Sequence, residues 1–276
     1  MDIIKFACVQ LNVGADIQAN LEQTITLIRQ AAAQGAVFIA TPENTCHMRA
    51  SDDLKLQTSL LEVDHTALHT FCALAKELSV TLYIGSMAVK LSDDKIANRS
   101  FVIDQNGIVS ARYDKIHLFD VDLPTGESHR ESRIVQGGES AIVADVECAE
   151  SKFKLGMSIC YDVRFPYLYR DLAHHGANVL GIPAAFTVPT GQAHWKTLLT
   201  ARAIENGAFV IAAAQCGSHE GTRKTYGHSM IIDPWGHVLA EAGDAPCVIM
   251  ADIDLSLVEK ARTAIPALTH DKSYHF

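Results

Sequence analysis

The chain has 276 residues, of which 48% are hydrophobic and 20% are charged, a composition that supports a full core and excludes a disordered protein. Lysine and arginine number 23 against 32 aspartates and glutamates, so the formal net charge is -9. A negative chain without a basic cluster repels phosphate backbones and anionic lipid. We therefore expect no nucleic-acid partner and no membrane partner, and a small molecule is the expected substrate.

The amino-terminal segment and the cysteines indicate the compartment. Asp2 and Lys5 interrupt the first apolar run, unlike a secretion signal, and no apolar run approaches the ~20 residues of a membrane helix. The seven cysteines form no Cys-x-x-Cys pair, so neither a disulfide framework nor a structural zinc site is expected. These features predict a cytoplasmic protein without a bound metal.

The first half of the chain alternates apolar runs with segments of helical spacing. The predicted elements are a strand at 6–11, a helix through 21–32, a strand at 36–40, a helix through 68–78, a strand at 81–89 and a hairpin at 101–111. The pair Asn106-Gly107 indicates the hairpin, because it supplies the positive φ angles of a tight turn.

The second half repeats this order of elements. The predicted elements are a strand at 154–160, a helix at 167–173, a strand at 178–182, a helix at 194–206, a strand at 209–215 and a hairpin at 230–240. One short helix is expected after Asp254, followed by a polar end.

The repetition predicts an α/β protein with an internal duplication. Gly35-Ala36 precedes Pro42 by the same interval as Gly176-Ala177 precedes Pro183. Two mixed sheets, each covered by helices on one face, give a four-layer α-β-β-α sandwich if the sheets pack together. No flexible linker separates the halves, so residues 1–276 are expected to form one domain. The alternative is that the similarity reflects only the glycines and prolines that commonly end helices and strands in α/β proteins.

Cys160 is the first candidate for chemistry, because it ends a predicted strand and precedes a turn into a helix. A thiol placed there faces backbone N–H groups, which lower a thiol pKa and form an oxyanion site. The alternative is a buried, inert cysteine, which is the ordinary state of most such residues. Cys216 also ends an apolar strand and is the competing candidate, although a flexible polar loop follows it.

Glu43 and Lys115 are the next candidates. Glu43 follows a strand and Pro42, and the carboxyl ends of strands are where open α/β sheets bind ligands. A carboxylate there could take the proton of a thiol, and the Lys115 ammonium after the first hairpin could stabilise charge on a substrate oxygen. Taken alone, each could equally be a solvated surface group.

Three segments together resemble the nitrilase superfamily of carbon-nitrogen hydrolases. They are Thr41-Pro42-Glu43-Asn44, the stretch Tyr113-Asp114-Lys115-Ile116-His117-Leu118-Phe119, and Ile159-Cys160-Tyr161-Asp162-Val163-Arg164-Phe165-Pro166. The resemblance covers nearly the whole chain and implies the four-layer fold and a Glu43, Lys115 and Cys160 triad. It also implies that Glu131 is the family's second active-site glutamate, that no cofactor is needed, and that the chain forms a homodimer.

Further segments resemble one branch of that family, the amidases of deaminated glutathione and the related omega-amidases. They are Gly191-Gln192-Ala193-His194-Trp195, Ala213-Ala214-Gln215-Cys216-Gly217 and Tyr226-Gly227-His228-Ser229-Met230. The branch implies hydrolysis of the amide of a small acid. Residues 123–130 do not take part in the resemblance, although they lie near the expected entrance to the site.

The mechanism implied is acyl transfer through a thioester. Glu43 takes the Cys160 proton, the sulfur attacks the amide, and Lys115 with the Tyr161 N–H holds the oxyanion. Two carboxylates beside one lysine are expected to keep the base usable near neutral pH.

Several neighbouring residues have expected roles. Arg164 could pair with a substrate carboxylate or form a structural salt bridge. Phe186, Thr187 and Trp195 are candidates for the pocket wall. Asp162 is expected to cap the following helix, and Arg202 with Glu205 to form an internal ion pair.

Alternative functions remain open in the sequence. An omega-amidase acting on alpha-ketoglutaramate and a nitrilase would use the same triad, whereas a redox sensor or a scaffold would not require it. His47 and His117 follow Glu43 and Lys115 closely, so a Cys-His dyad is conceivable. His65 and His69 are spaced to share a metal on a helix, although a third ligand is missing.

Overall fold

The computed structural model describes residues 3–48, 51–123, 126–149, 151–221 and 223–275. The strands are β1 (Ile3–Gln10), β2 (Phe38–Ala40), β3 (Thr81–Lys90), β4 (Ile96–Ile103), β5 (Val109–Asp114), β6 (Asp120–Asp122), β7 (Ser128–Arg130), β8 (Val143–Cys148), β9 (Ser151–Met157), β10 (Val179–Gly181), β11 (Phe209–Ala212), β12 (Cys216–Ser218), β13 (Lys224–Tyr226), β14 (Met230–Ile232), β15 (Val238–Glu241) and β16 (Cys247–Asp254). The α-helices are α1 (Ile17–Ala33), α2 (Asp52–Thr58), α3 (Thr66–Leu78), α4 (Pro166–His174), α5 (Val188–Asn206) and α6 (Ser256–Ala264). Short 3-10 segments cover Glu62–Asp64, Glu131–Arg133, Cys160–Arg164 and Ala267–Thr269.

Two six-stranded sheets have the same topology. Their strand orders are β16-β1-β2-β3-β4-β5 and β15-β14-β11-β10-β9-β8. Strands β1, β2 and β3 run parallel in the first sheet, as do β9, β10 and β11 in the second, and antiparallel strands flank each parallel group on both sides. The repeated order of elements read from the sequence therefore corresponds to two equivalent sheets. The outer strand β16 returns from the end of the chain to pair with β1.

The layers run helix, sheet, sheet, helix. Ile28 of α1 and Phe71 of α3 share one core with Ile39 of β2, so these helices cover the outer face of the first sheet. Leu168 of α4 and Leu199 of α5 belong to the core around the second sheet. Aromatic side chains fill the space between the sheets. Phe38 lies 4.8 Å from Phe6 and 5.2 Å from Phe153, measured between ring centroids. The predicted sandwich of two mixed sheets is confirmed.

Several element boundaries differ from the sequence-based prediction. Strand β9 ends at Met157, so Cys160 lies three residues beyond it in a 3-10 turn, and β11 ends at Ala212. Helix α5 begins at Val188 and not at 194, because Pro189 is compatible with a first helical turn. Gly191 lies inside α5. A side chain there would collide with Tyr226, because an added Cβ would lie 2.3 Å from the Tyr226 side chain.

Residues 123 and 126–130 belong to the small β6-β7 hairpin, and 124 and 125 lie outside the described residues. Within the described ranges, no helix is long and apolar enough to cross a bilayer. In the same ranges no group of three histidine, cysteine, aspartate or glutamate residues could hold a metal ion. His65 is buried while His69 is exposed, so the two do not face one site.

Candidate active site

The loops at the carboxyl ends of the parallel strands surround a cavity of about 490 Å³. Glu43 follows β2, Cys160 follows β9, and Ala185 follows β10, while Lys115 comes directly after β5. The two topologically equivalent sheets thus each contribute to one cavity, whose volume suits a small molecule.

Lys115 lies between the two predicted glutamates. Its Nζ is 2.9 Å from Glu43 Oε1 and 2.8 Å from Glu131 Oε2. Asn98 Nδ2 donates to Glu43 Oε1 and to Glu131 Oε1, at 3.0 Å in both cases. Glu131 Oε2 also accepts from the Phe119 N–H at 2.7 Å. The ammonium and the Asn98 amide together fix both carboxylates.

The Glu43 segment is held by hydrogen bonds from loops of the second half of the chain. The Ala185 N–H donates to Glu43 Oε2 at 3.0 Å, and Gln215 Nε2 donates to the Glu43 carbonyl at 3.1 Å. Asn44 next to it has a φ of +57°, a conformation that asparagine tolerates better than most residues. The carboxylate is therefore positioned from both halves of the chain.

Cys160 lies in a tight turn. Its φ is +50°, and its N–H donates to the Pro183 carbonyl at 2.8 Å. A left-handed conformation costs an ordinary residue on the order of 1–2 kcal/mol, so surrounding contacts must hold the turn. The residue is 7% exposed and lines the cavity.

Asp162 supplies those contacts and does not cap α4, contrary to the sequence-based expectation. Its Oδ2 accepts from the Ile159 N–H at 2.8 Å and from the Tyr113 hydroxyl at 2.7 Å. Its Oδ1 lies 2.7 Å from His117 Nδ1 and accepts from the His117 N–H at 3.0 Å. Tyr113 and His117 flank Lys115 in sequence, so this buried carboxylate ties the nucleophile turn to the segment that carries the lysine.

The charges in the site fix its resting protonation. Burial raises the pKa of the Cys160 thiol well above its usual range, and the Glu43 carboxylate raises it further, while Lys115 and the Ala185 N–H offset only part of this. Burial alone would raise the pKa of Glu43, but the Lys115 ammonium and hydrogen bonds from Lys115 and Cys160 lower it below its usual range. Burial disfavours the Lys115 ammonium, but Glu131 and Glu43 raise the pKa of Lys115 well above its usual range.

The resting site therefore holds a thiol, a carboxylate and an ammonium. The expected balance, in which carboxylate repulsion and the ammonium offset each other near neutral pH, is wrong, because Lys115 lowers the pKa of Glu43 below its usual range. A nucleophilic role for Cys160 would therefore require a base to take the thiol proton during attack.

Three of the four predicted pocket residues line the cavity. They are Arg164, Phe186 and Thr187. Trp195 does not, because its ring packs behind Phe186 at 4.8 Å between centroids and its Nε1 donates to the His228 carbonyl. Arg164 forms no salt bridge within the described ranges. Its guanidinium lies 5.4 Å from the Phe186 ring centroid.

His117 and Cys216, two further sequence-based candidates, have other partners or surroundings. His117 hydrogen-bonds Asp162 and Tyr167 and so is not the partner of a Cys-His dyad. Cys216 is fully buried beside β13, and burial raises its pKa to about 12. Arg202 pairs with Glu205 at 2.7 Å, as expected.

Sequence reasoning missed Asn98 and two cations of the cavity wall, Lys55 and Arg223. Asn98 had one signal, a polar residue inside a buried strand, since β4 reads Ile-Ala-Asn-Arg-Ser-Phe-Val-Ile. Lys55 and Arg223 had none, because α2 and the β12-β13 connection were not predicted.

The family model for carbon-nitrogen hydrolases matches residues 5–263. The chain belongs to the carbon-nitrogen hydrolase family. The predicted resemblance and the predicted enzyme class are thereby confirmed.

Relatives of this hydrolase cover nearly its whole length. A protein of Synechocystis named deaminated glutathione amidase is 40% identical over 96% of both chains. The crystal structure of the NitFhit protein of Caenorhabditis elegans is similar with a TM-score of 0.91 and 34% identity, over 98% of this hydrolase and 65% of that chain. The crystal structure of Saccharomyces cerevisiae Nit3, a member of branch 10 of the nitrilase superfamily, gives a TM-score of 0.84 and 30% identity over 96% and 94% of the two chains.

Proposed function

We propose that this hydrolase is an amidase that cleaves the amide bond of a small carboxylate-bearing substrate, deaminated glutathione, through a thioester on Cys160. The observation that carries the proposal is the buried set of Glu43, Lys115 and Cys160 at one end of the cavity. A carboxylate hydrogen-bonded to a thiol, with an ammonium beside both, is the arrangement that nucleophilic acyl transfer requires.

In the acylation step, Cys160 Sγ attacks the amide carbonyl carbon while Glu43 takes the thiol proton. The carbonyl oxygen becomes an oxyanion between Lys115 Nζ and the Tyr161 N–H. The carbon–nitrogen bond then breaks, and the proton held by Glu43 moves to the departing nitrogen. The products of this step are a free amine and a thioester.

In the deacylation step, Glu43 takes a proton from water and the oxygen attacks the thioester carbonyl. The carbon–sulfur bond breaks, and sulfur regains the proton from Glu43. Glu131 holds Lys115 in place throughout, through its 2.8 Å contact with Nζ. Glu131 is thus a positioning residue in this mechanism.

Arg164 gives the proposal its substrate class. The guanidinium lines the cavity on the nucleophile turn, against Phe186, without a salt bridge in the described part of the chain. A carboxylate on the acyl half of the substrate would supply the missing counterion. Deaminated glutathione has that group, as does alpha-ketoglutaramate, the substrate of the alternative omega-amidase.

The test is product release over a panel of deaminated glutathione, alpha-ketoglutaramate, an uncharged aliphatic amide and a nitrile. We expect the highest kcat/KM on deaminated glutathione, with Cys160→Ala as the control without turnover. A higher kcat/KM on alpha-ketoglutaramate favours the omega-amidase, and preference for the nitrile favours a nitrilase. No turnover of any compound, with a folded protein, would contradict the proposal.

Self-association is proposed on an exposed apolar patch. Ile204, Trp235 and Ile265 are 53%, 52% and 58% exposed and line one shallow pocket beside α5 and α6. A second copy of the chain covering this patch would give the expected homodimer. Sedimentation equilibrium should give twice the chain mass, and Trp235→Glu should shift the equilibrium toward monomer.

The cytoplasm is proposed as the compartment because all seven cysteines are free. Free thiols persist in a reducing environment and become oxidised in secreted proteins. Fractionation of cells that express the tagged chain should place it with cytoplasmic markers. Recovery with a secreted or compartment-bound fraction would contradict this.

A further inference from the structure

Two cations that line the cavity, Arg223 and Lys55, form no salt bridge within the part of the chain that the structure describes. Arg223 immediately precedes β13; its Nε is buried without a hydrogen-bond partner, and its Nη2 donates to the Ala185 carbonyl at 3.4 Å. Lys55 of α2 donates to Asn44 Oδ1 at 3.3 Å. Glu220, which has its own contacts, also lines the cavity.

The other cations that line the cavity, apart from Arg164, have acidic neighbours. Lys115 lies between Glu43 and Glu131. Arg130 is held by both carboxylate oxygens of Asp122, at 2.9 and 2.8 Å. Arg223 Nε is withdrawn from water without a partner, which is unfavourable, so Arg223 together with the half-buried Lys55 favours an anionic ligand.

The position of Arg223 indicates which half of a substrate it faces. Ala185 joins Arg223 to the base, because its carbonyl accepts from Arg223 and its N–H donates to Glu43. The charge of Arg223 also acts on Glu43. Arg164, by contrast, lies on the nucleophile turn, 5.9 Å from the Tyr161 ring centroid.

The proposed mechanism assigns the leaving half of the substrate to the Glu43 side. Glu43 gives its proton to the departing nitrogen, so that nitrogen and the group attached to it must lie against the carboxylate. The charges of Arg223 and Lys55 both interact with the Glu43 carboxylate, and neither cation forms a salt bridge within the described residues. In this mechanism Arg164 faces the acyl half of the substrate, and Arg223 with Lys55 faces the leaving half.

We propose that Arg223, assisted by Lys55, binds a carboxylate on the leaving amine, so that the hydrolase prefers amides that release an anionic amine over amides that release ammonia. The inference rests on the proposed amidase function and adds a second anion subsite to it. A planar guanidinium can hold a carboxylate with two hydrogen bonds, whereas Lys55 contributes one mobile charge.

The experiment uses two substrates that share the same alpha-ketoglutaryl acyl half. Deaminated glutathione releases Cys-Gly, which carries a carboxylate, and alpha-ketoglutaramate releases ammonia. The readout is the ratio of their kcat/KM values, because damage to the triad lowers both values and cancels in the ratio. We expect Arg223→Gln to reduce the ratio about 10–100-fold, the range for loss of a charge-assisted hydrogen bond.

Two variants serve as matched controls and a third tests rescue. Arg130→Gln removes the same charge from the same cavity, but its guanidinium already binds Asp122, so the ratio should stay within about twofold of wild type. Arg164→Gln should lower both kcat/KM values together, because it faces the shared acyl half. Arg223→Lys should restore part of the ratio that Arg223→Gln loses.

A second measurement needs no variant. Cys-Gly should inhibit the wild-type enzyme at least about 10-fold more tightly than its carboxyl-terminal amide, which lacks the carboxylate. Equal inhibition by both, or a wild-type ratio in Arg223→Gln, would overturn the subsite. Failure of the wild-type enzyme to hydrolyse either substrate would instead overturn the proposed function, so the two failures are distinguishable.

Discussion

At the scale of single residues, the Cys160 sulfur lies in a site that opposes its ionisation. Burial and Glu43 raise the pKa of the thiol, and Glu43 itself stays ionised because Lys115 lowers the pKa of the carboxyl. Glu43 therefore opposes formation of the thiolate at rest and, in the proposed mechanism, removes the proton during attack. A permanently anionic sulfur would have required the opposite balance of charges.

Glu43→Gln tests this balance. Removing the carboxylate charge takes away a contribution that raises the pKa of Cys160, so the thiol of the variant should titrate at lower pH than that of the wild type. Ultraviolet thiolate absorbance against pH, with Cys160→Ala as the baseline, measures this. The account is contradicted if the variant titrates at higher pH, or if the wild type already holds a thiolate at neutral pH.

Asp162→Asn tests the link between the two catalytic segments. An amide accepts fewer hydrogen bonds than a carboxylate and loses the charge that faces His117, so we expect a loss of about 1–3 kcal/mol in unfolding free energy and a lower kcat. Urea unfolding and steady-state kinetics measure the two effects. Asp145→Asn is the control, because Asp145 pairs with Lys154 on the surface. Equal stability of both variants would refute the role of Asp162.

The sequence indicates Glu43, Lys115 and Cys160 as candidates because each follows a predicted strand or hairpin, whereas Glu131 is indicated by the family resemblance alone. The structure brings all four to one cavity. The role of Asp162 could not be predicted. Its partners Tyr113 and His117 lie 49 and 45 residues away in the chain, and local spacing suggested only a helix cap. Trp195 was assigned to the pocket by its neighbourhood in sequence, whereas its ring faces the core.

At the scale of elements, close backbone contact between β3 and the Glu43 segment places the base. A Cβ on Gly85 would lie 2.1 Å from the Thr41 carbonyl oxygen and 2.5 Å from Pro183 Cβ. These neighbours are backbone atoms and a proline ring, so a Cβ at position 85 would force the backbone to shift. Gly85 thus lets β3 approach the loops that follow β2 and β10.

We expect Gly85→Ala to displace Glu43, lowering kcat and destabilising the protein by about 1–3 kcal/mol. Thermal unfolding and kinetics measure both quantities. Gly14→Ala is the matched control, since nothing lies within 4 Å of its added Cβ, and it should change stability by less than about 0.5 kcal/mol. Unchanged kcat in Gly85→Ala would contradict the placement of the base by β3.

Core strands and long helices were the elements most readily predicted, because apolar runs and helical spacing are local signals. The short helix α2 was missed, and it has no buried residue to produce such a signal. Strand β16 was also missed, because its register against β1 joins Cys247 to Gln10 across the whole chain. A pattern of neighbouring residues does not predict pairing between two strands so far apart in the chain.

At the scale of the whole molecule, the aromatic cluster between the sheets unites both halves of the chain. Phe6 and Phe38 come from the first sheet and Phe153 from the second, with centroid distances of 4.8 to 5.2 Å. The cavity likewise takes Glu43 from one half and Cys160 from the other. We therefore retain the proposal that residues 1–276 form one domain.

Phe38→Ala tests that proposal. Removing a buried ring should cost about 3–5 kcal/mol and lower the Tm of a single transition that both sheets share. Calorimetry, compared with the control Ile108→Ala at a site that is 61% exposed, measures this. Two separate transitions, with only one shifted by the substitution, would contradict one cooperative unit.

Intact-protein mass spectrometry after rapid acid quench addresses the central chemistry most directly. With deaminated glutathione in excess, we predict a transient gain of one alpha-ketoglutaryl group on Cys160, lost as product accumulates and absent from Cys160→Ala. Lys115→Ala should form this adduct at least about 100-fold more slowly, because an oxyanion partner is missing. Product release by Cys160→Ala at the wild-type rate would contradict the account.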